Sequence, residues 1–181
     1  MMLTLLVEPT AYFASQRWHN NMPIYNIFSP IELFLVSLYF NYAVTYLRRR
    51  NLGIIIGGAG IVLSILNTIF LQPIDTINSN FLLFESTTII IYCLLALHQI
   101  LLDEEHLPYR YAHFWITLCF LLFWSATFTG WGFYALLLPT DKSIISLFDK
   151  ILTTANFIFY LGIGTVLMLL LKHKLIPTSC A

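Results

Sequence analysis

Charge is the scarcest thing in this chain. Only 10% of its residues are Asp, Glu, Lys or Arg, and nine basic and nine acidic side chains cancel to a formal net charge of zero. That balance leaves no basic field to recruit nucleic acid and no acidic tail to mimic it, so no nucleic-acid partner is expected. Cysteine is almost as rare. Cys93, Cys119 and Cys180 are far apart, form no CxxC pair, and two of them sit in apolar runs, which reads as buried thiols and not as a disulfide framework. The signatures of the common enzyme classes are missing too: there is no GxSxG, Walker loop, GxGxxG, CxxCH or HExxH, and no apolar run has a central lysine of the kind that holds retinal. No cofactor is therefore expected. The first residues lack the basic region, uninterrupted apolar core and small-residue cleavage site of a secretory signal.

What the chain has in abundance is apolar and aromatic surface, 59% and 16% of its residues, far from soluble usage. These residues gather into five runs long enough to cross a hydrocarbon core of roughly 30 Å at about 1.5 Å per residue. The expected fold is an all-α, polytopic integral membrane helical bundle forming a single membrane domain. Its spans are expected at about 30–47, 53–71, 81–102, 113–138 and 147–171. The apolar stretch 1–16 is interrupted by Glu8 and Pro9 and predicts an interfacial or partial helix, with a further span expected upstream of it. Ser29-Pro30-Ile31-Glu32 combines a capping box with a proline at the first helical position and predicts the start of the first span there. In the second span, Gly53 with Gly57 and Gly60 with Ser64 have the spacing that permits close approach of a neighbouring helix, here chiefly within the same chain.

With these spans, Arg48, Arg49, Arg50, Arg110, Lys172 and Lys174 fall on one side of the bilayer, and Arg17, Lys142 and Lys150 on the other. The positive-inside rule makes the first side cytoplasmic and the C-terminus with it.

The third span organises the rest. At about 100° per residue, Glu85, Thr88, Tyr92, Ala96 and Gln99 fall on one narrow stripe, which must face protein or water because lipid cannot accommodate it. The first, third and fifth spans each carry a carboxylate in their outer turns, Glu32, Glu85 and Asp149, with a tyrosine deeper on the same stripe: Tyr39, Tyr92 and Tyr160. Thr153 and Asn156 complete the stripe of the fifth span, and Asn67 of the second lies at similar depth. Together these residues predict an outward-facing polar pocket. Each has a plainer reading: Glu32 as a helix cap, Asp149 as an acid at a helix start, and Lys150 as the cation that neutralises Asp149 or Glu85. Glu85 is expected to point inward, either paired with Lys150 or hydrogen-bonded to Tyr or Asn side chains of other spans. His98, His106 and His113 surround one cytoplasmic turn with Asp103, Glu104 and Glu105 and are only weak metal candidates, because their spacing matches no known ligand pattern. Trp115, Trp124 and Trp131 read as packing and interface anchors.

Asn26 to Glu32 leading into an aromatic span, Asn78-Ser79-Asn80-Phe81 with Glu85 shortly after, and His113-Phe114-Trp115-Ile116 opening the next span resemble a group of uncharacterised bacterial multi-pass membrane proteins, over about residues 25–138. Members of that group are similar to small sensory-type helical bundles and are often encoded beside signalling kinases. The resemblance implies the bacterial inner membrane and a role in signalling. The expected function is a non-catalytic sensory or partner module that uses the lipid bilayer and a membrane or cytoplasmic protein partner. The alternatives are a small proton-coupled transporter using Glu85 with Asp149 or, ranked lower, a membrane enzyme using the histidines. The topology predicts that single cysteines placed at Arg49 and at Lys172 are labelled by an impermeant maleimide only from the cytoplasmic side. Labelling of either from outside overturns it.

Overall fold

The computed structural model describes the backbone of residues 2–102, 108–137 and 142–172, and the side chains of these except for 2–6, 8, 110, 134–137 and 142–149. Among the described residues the chain is all-helical. The helices are α1 (Met2–Trp18), α2 (Met22–Ala43), α3 (Thr45–Arg50), α4 (Leu52–Phe70), α5 (Ser79–Leu101), α6 (Ala112–Leu137) and α7 (Lys142–Leu171), with a single 3-10 turn at Pro108–Arg110. Five of them, α2, α4, α5, α6 and α7, are long and apolar enough to cross a membrane. Their surfaces fit that surrounding. On α4 and α7, Ile55, Ile65, Ile69, Phe70, Phe157, Ile158, Leu161 and Met168 are each more than half exposed, an arrangement that water would penalise and hydrocarbon does not.

The bundle is organised on α2 and α5, which pack on one another. Helix α4 covers α2, α6 covers α5, α7 packs outside α6, and α1 lies on α2. The core between them is built from Leu33, Phe40, Val44 and Leu47 on the α2 side and Phe81, Ile89, Tyr92, Cys93 and Ala96 on α5, closed by Trp124 of α6.

The first span differs from expectation at both ends. It starts at Met22, two turns before Pro30, with Asn20 Oδ1 accepting the Met22 N–H at 2.9 Å and Pro23 in the first turn. Pro30 is therefore inside the helix, and the Ser29 hydroxyl donates back to the Tyr25 carbonyl at 3.0 Å instead of capping anything. The Ser29–Glu32 capping box does not form, and Glu32 lies well inside the helix. The early start has a tertiary cause. Asn26 Nδ2 donates to the carbonyls of Ile74 and Thr76 at 2.8 and 2.7 Å, and Asn20 Nδ2 to that of Asp75 at 3.0 Å, so the loop after α4 is tied to the first turns of α2.

At the other end α2 breaks at Val44, whose backbone is extended (φ −107°, ψ 116°), before the chain resumes as α3. A break in a membrane helix frees backbone groups that lipid cannot satisfy. Gln99 of α5 meets them. Its Oε1 accepts the Thr45 N–H at 2.7 Å and its Nε2 donates to the Ala43 carbonyl at 3.4 Å. Helix α3 ends on Asn51 in the left-handed conformation (φ 51°), which asparagine tolerates better than most residues, and α4 follows directly.

The glycine stripe of α4 packs within the chain, against α2. A Cβ on Gly53 would lie 2.5 Å from the Ser37 carbonyl oxygen and 2.6 Å from Asn41 Cβ, and the Gly53 N–H donates to Asn41 Oδ1 at 3.1 Å. Gly58, by contrast, has open space where its Cβ would be. Gly53→Ala is therefore expected to destabilise the detergent-solubilised protein by about 1–3 kcal/mol, whereas Gly58→Ala is neutral or stabilising, since alanine exceeds glycine in helix propensity by up to about 1 kcal/mol. Thermal unfolding of the two variants side by side checks this, and equal effects refute the close α2–α4 contact.

Candidate functional site

The inward stripe of α5 is buried over Glu85, Thr88, Tyr92 and Ala96, whereas Gln99 at its end is exposed, where it clamps the break in α2. Leu94 on the opposite side is 54% exposed. Glu85 has no exposed surface at all. It lies in the wall of a cavity of about 530 Å³ at the end of the bundle that holds the 71–78 loop.

Four helices and the loop build the walls. Helix α2 contributes Tyr25, Asn26 and Glu32, made available by its early start, and the loop adds Ile77. From α6 come Trp124, Thr127 and Trp131, three and seven residues apart and hence on one face. From α7 come Thr153, Asn156 and Tyr160, with Leu152 and Phe159 beside them. Phe159 stacks on Phe123 with ring centroids 4.7 Å apart and meets Phe120 edge-on at 5.2 Å, which locks α7 against α6 along one wall. Thr127 adds no free donor, because its hydroxyl donates to the Phe123 carbonyl at 2.9 Å.

Of the residues expected to share a pocket, Glu32, Glu85, Asn156 and Tyr160 do so. Tyr39, Tyr92 and Asn67 do not. Tyr39 reaches α6 deeper in the bundle, where its hydroxyl is 2.6 Å from His113 Nδ1. Tyr92 lies about 10 Å further along α5 than Glu85, packed against Phe40 with ring centroids 5.7 Å apart. Asn67 donates to Gln72 and Asn78 and accepts from Asn80, fastening the end of α4 to the start of α5, beside a separate apolar groove of about 420 Å³. The Asp149 side chain lies outside the described residues. The weak metal candidates are dispersed: His98 is exposed, His113 is buried on Tyr39, and His106 lies outside the described residues. Among the described residues no three metal-ligating side chains gather.

Two further features depart from expectation. Neither oxygen of the Glu85 carboxyl has a hydrogen-bond partner, and Lys150 is exposed and forms no part of the cavity wall, so Glu85 is neither paired with that lysine nor bonded to a Tyr or Asn of another span. The other carboxyl in the same wall is that of Glu32. Trp124 and Trp131 also line the site, a role their i, i+7 spacing carried in the sequence but that their kinship with interface anchors concealed. Tyr25 and Asn26 were out of reach of sequence reading because the first span was placed from Pro30 onward.

No protein-family model matches the chain, and neither a curated protein nor a solved structure matches it.

The arrangement is suited to holding a small molecule. The cavity volume lies within the usual range of about 300–1,000 Å³ for ligand sites, and its wall combines aromatic and polar side chains in about equal number. Glu85 gives the fold no bond that would repay its burial. Glu85→Leu, close in volume and without the carboxyl, is accordingly expected to raise the midpoint of thermal unfolding in detergent, a gain on the order of 1–3 kcal/mol. A lowered midpoint would show that the carboxyl serves the structure.

Proposed function

We propose that this protein is a non-catalytic ligand-binding module of the membrane, which senses a small molecule in the Glu85 cavity and passes the change to a protein partner. The observation that carries the reading is a fully buried, unbonded carboxyl in the wall of a cavity of ligand size. Such a group destabilises the fold and is retained for what it binds. Transmission has a structural route. Helices α2 and α5 both line the cavity, and at their other ends they meet again at the Val44 break, where Gln99 spans the gap immediately before Arg48, Arg49 and Arg50. A ligand that shifts α2 against α5 acts on that clamp. The distribution of cations supports a cytoplasmic side for the three arginines and the C-terminus and an outer side for the cavity, and the resemblance to bacterial multi-pass proteins supports an inner membrane. The likeness of Asn26–Glu32 and Asn78–Phe81 to sensory-type bundles encoded beside kinases supports a signalling protein as the partner.

A second reading, a proton-coupled carrier, draws on a different observation. Beyond the cavity, Thr117 Oγ1 and His113 Nε2 are buried without hydrogen-bond partners, leaving unsatisfied polar atoms on the inner face of α6.

The test is a screen of small amphipathic compounds against the protein in lipid nanodiscs, read as a rise in thermal midpoint. Compounds at 100 times their dissociation constant should stabilise by about 2.7 kcal/mol. Asn156→Phe, which fills the cavity, should abolish the effect and leave the ligand-free midpoint within a few degrees. A screen with no stabilising compound, or stabilisation that survives Asn156→Phe, defeats the proposal. Uptake into proteoliposomes that is lost on Glu85→Gln would move the assignment to the carrier.

A further inference from the structure

We propose that the molecule bound in this cavity is an organic cation, with a compact ammonium head seated against Glu85 and Glu32 and an apolar body enclosed by the aromatic wall. The inference rests on the ligand-binding reading above and names its ligand class.

Three observations converge on it. First, the described wall carries two carboxyl side chains and no Lys, Arg or His. Glu85 is wholly buried with both oxygens unbonded, a carboxyl for which the described part of the wall supplies no cation. Second, the two acids come from α2 and α5 and line one cavity, where a cation between them removes the like-charge repulsion that opposes ionisation of both. An anionic ligand is repelled there, and a neutral one leaves Glu85 buried and unpaired. Third, aromatic rings from three helices, Tyr25, Trp124, Trp131, Phe159 and Tyr160, line the same wall. Aromatic rings attract cations through their quadrupole, tryptophan most strongly, and aromatic cages are the usual means of recognising alkylammonium heads. The same composition argues against a bare metal ion. Hard cations require about six oxygen ligands, and no group of three His, Cys, Asp or Glu side chains is found among the described residues. A cavity of about 530 Å³ leaves room for a head and a body together.

The experiment uses the full chain in nanodiscs, with empty nanodiscs as the blank, and three probes of similar size. These are benzyltrimethylammonium, the neutral near-isostere 2-methyl-1-phenylpropan-2-ol, and benzenesulfonate. Binding is read as quenching of tryptophan fluorescence, to which Trp124 and Trp131 contribute, and as a rise in thermal midpoint. The ammonium is expected to bind at least about tenfold more tightly than the alcohol, and the sulfonate not to bind. Glu85→Gln should weaken the ammonium about tenfold and the alcohol less than about twofold, and Trp124→Leu should weaken the ammonium severalfold. The comparison of probes on the unsubstituted protein stands even if a variant fails to fold. An alcohol that binds as well as the ammonium, or a sulfonate that binds, overturns the cationic class and leaves the ligand-binding reading in place. Ammonium binding unaffected by Glu85→Gln removes the site. Binding of none of the three by the folded protein counts against both.

Discussion

Hydrocarbon offers no hydrogen-bond partner, so a polar group carried into a membrane bundle is met by another part of the same chain or remains a cost. Nearly every non-routine contact in this structure answers that constraint. The α2 helix can break at Val44 because Gln99 reaches across from α5 to take both freed backbone groups. Asn41 sits in the α2–α4 seam because the Gly53 N–H at the start of α4 needs an acceptor and glycine lets it come close. Asn67, Gln72, Asn78 and Asn80 bind one another and so close the turn from α4 to α5. Within the spans, Ser86, Thr88 and Thr127 discharge their hydroxyls onto carbonyls one turn back.

Glu85 is the conspicuous exception. A chain that finds partners for most of its buried amides and hydroxyls leaves its most expensive buried group unbonded, in a wall that also holds aromatic rings and a second acid. Stability alone does not account for that choice, since an apolar residue of the same size would serve the fold better. The position of the site adds to the case. It lies between the two central helices and the α6–α7 pair, so whatever occupies it touches both halves of the bundle at once.

Much of the architecture was legible in the chain. The five apolar runs gave the spans to within a few residues at most boundaries, because hydrophobic length is dictated by bilayer thickness and needs no tertiary information. The burial of Glu85 was legible for a related reason: its stripe with Thr88, Tyr92 and Ala96 has one orientation that lipid permits. The start of the first span was misplaced because Ser29-Pro30-Ile31-Glu32 has the form of a local helix start, and that local preference yielded to Asn20 and Asn26 binding the loop after α4. The unpaired state of Glu85 was not legible either, since proximity of Lys150 in a list of spans says nothing about which way its side chain leaves the helix.

What the sequence alone determined, then, is five helices long and apolar enough to cross a membrane and the inward facing of the Glu85, Thr88, Tyr92 and Ala96 stripe, both consequences of hydrophobic length and periodicity. The tertiary structure decided which polar faces meet. It brought Glu32, Glu85, Asn156 and Tyr160 to one cavity, sent Tyr39 to His113, and assigned Asn67 to a loop anchor. Depth along a helix is written in residue number, but the lateral order of helices is set by how surfaces such as the glycine stripe of α4 and the aromatic seam of α6 and α7 fit together, and that fit is a property of pairs of helices that no single stretch of chain contains.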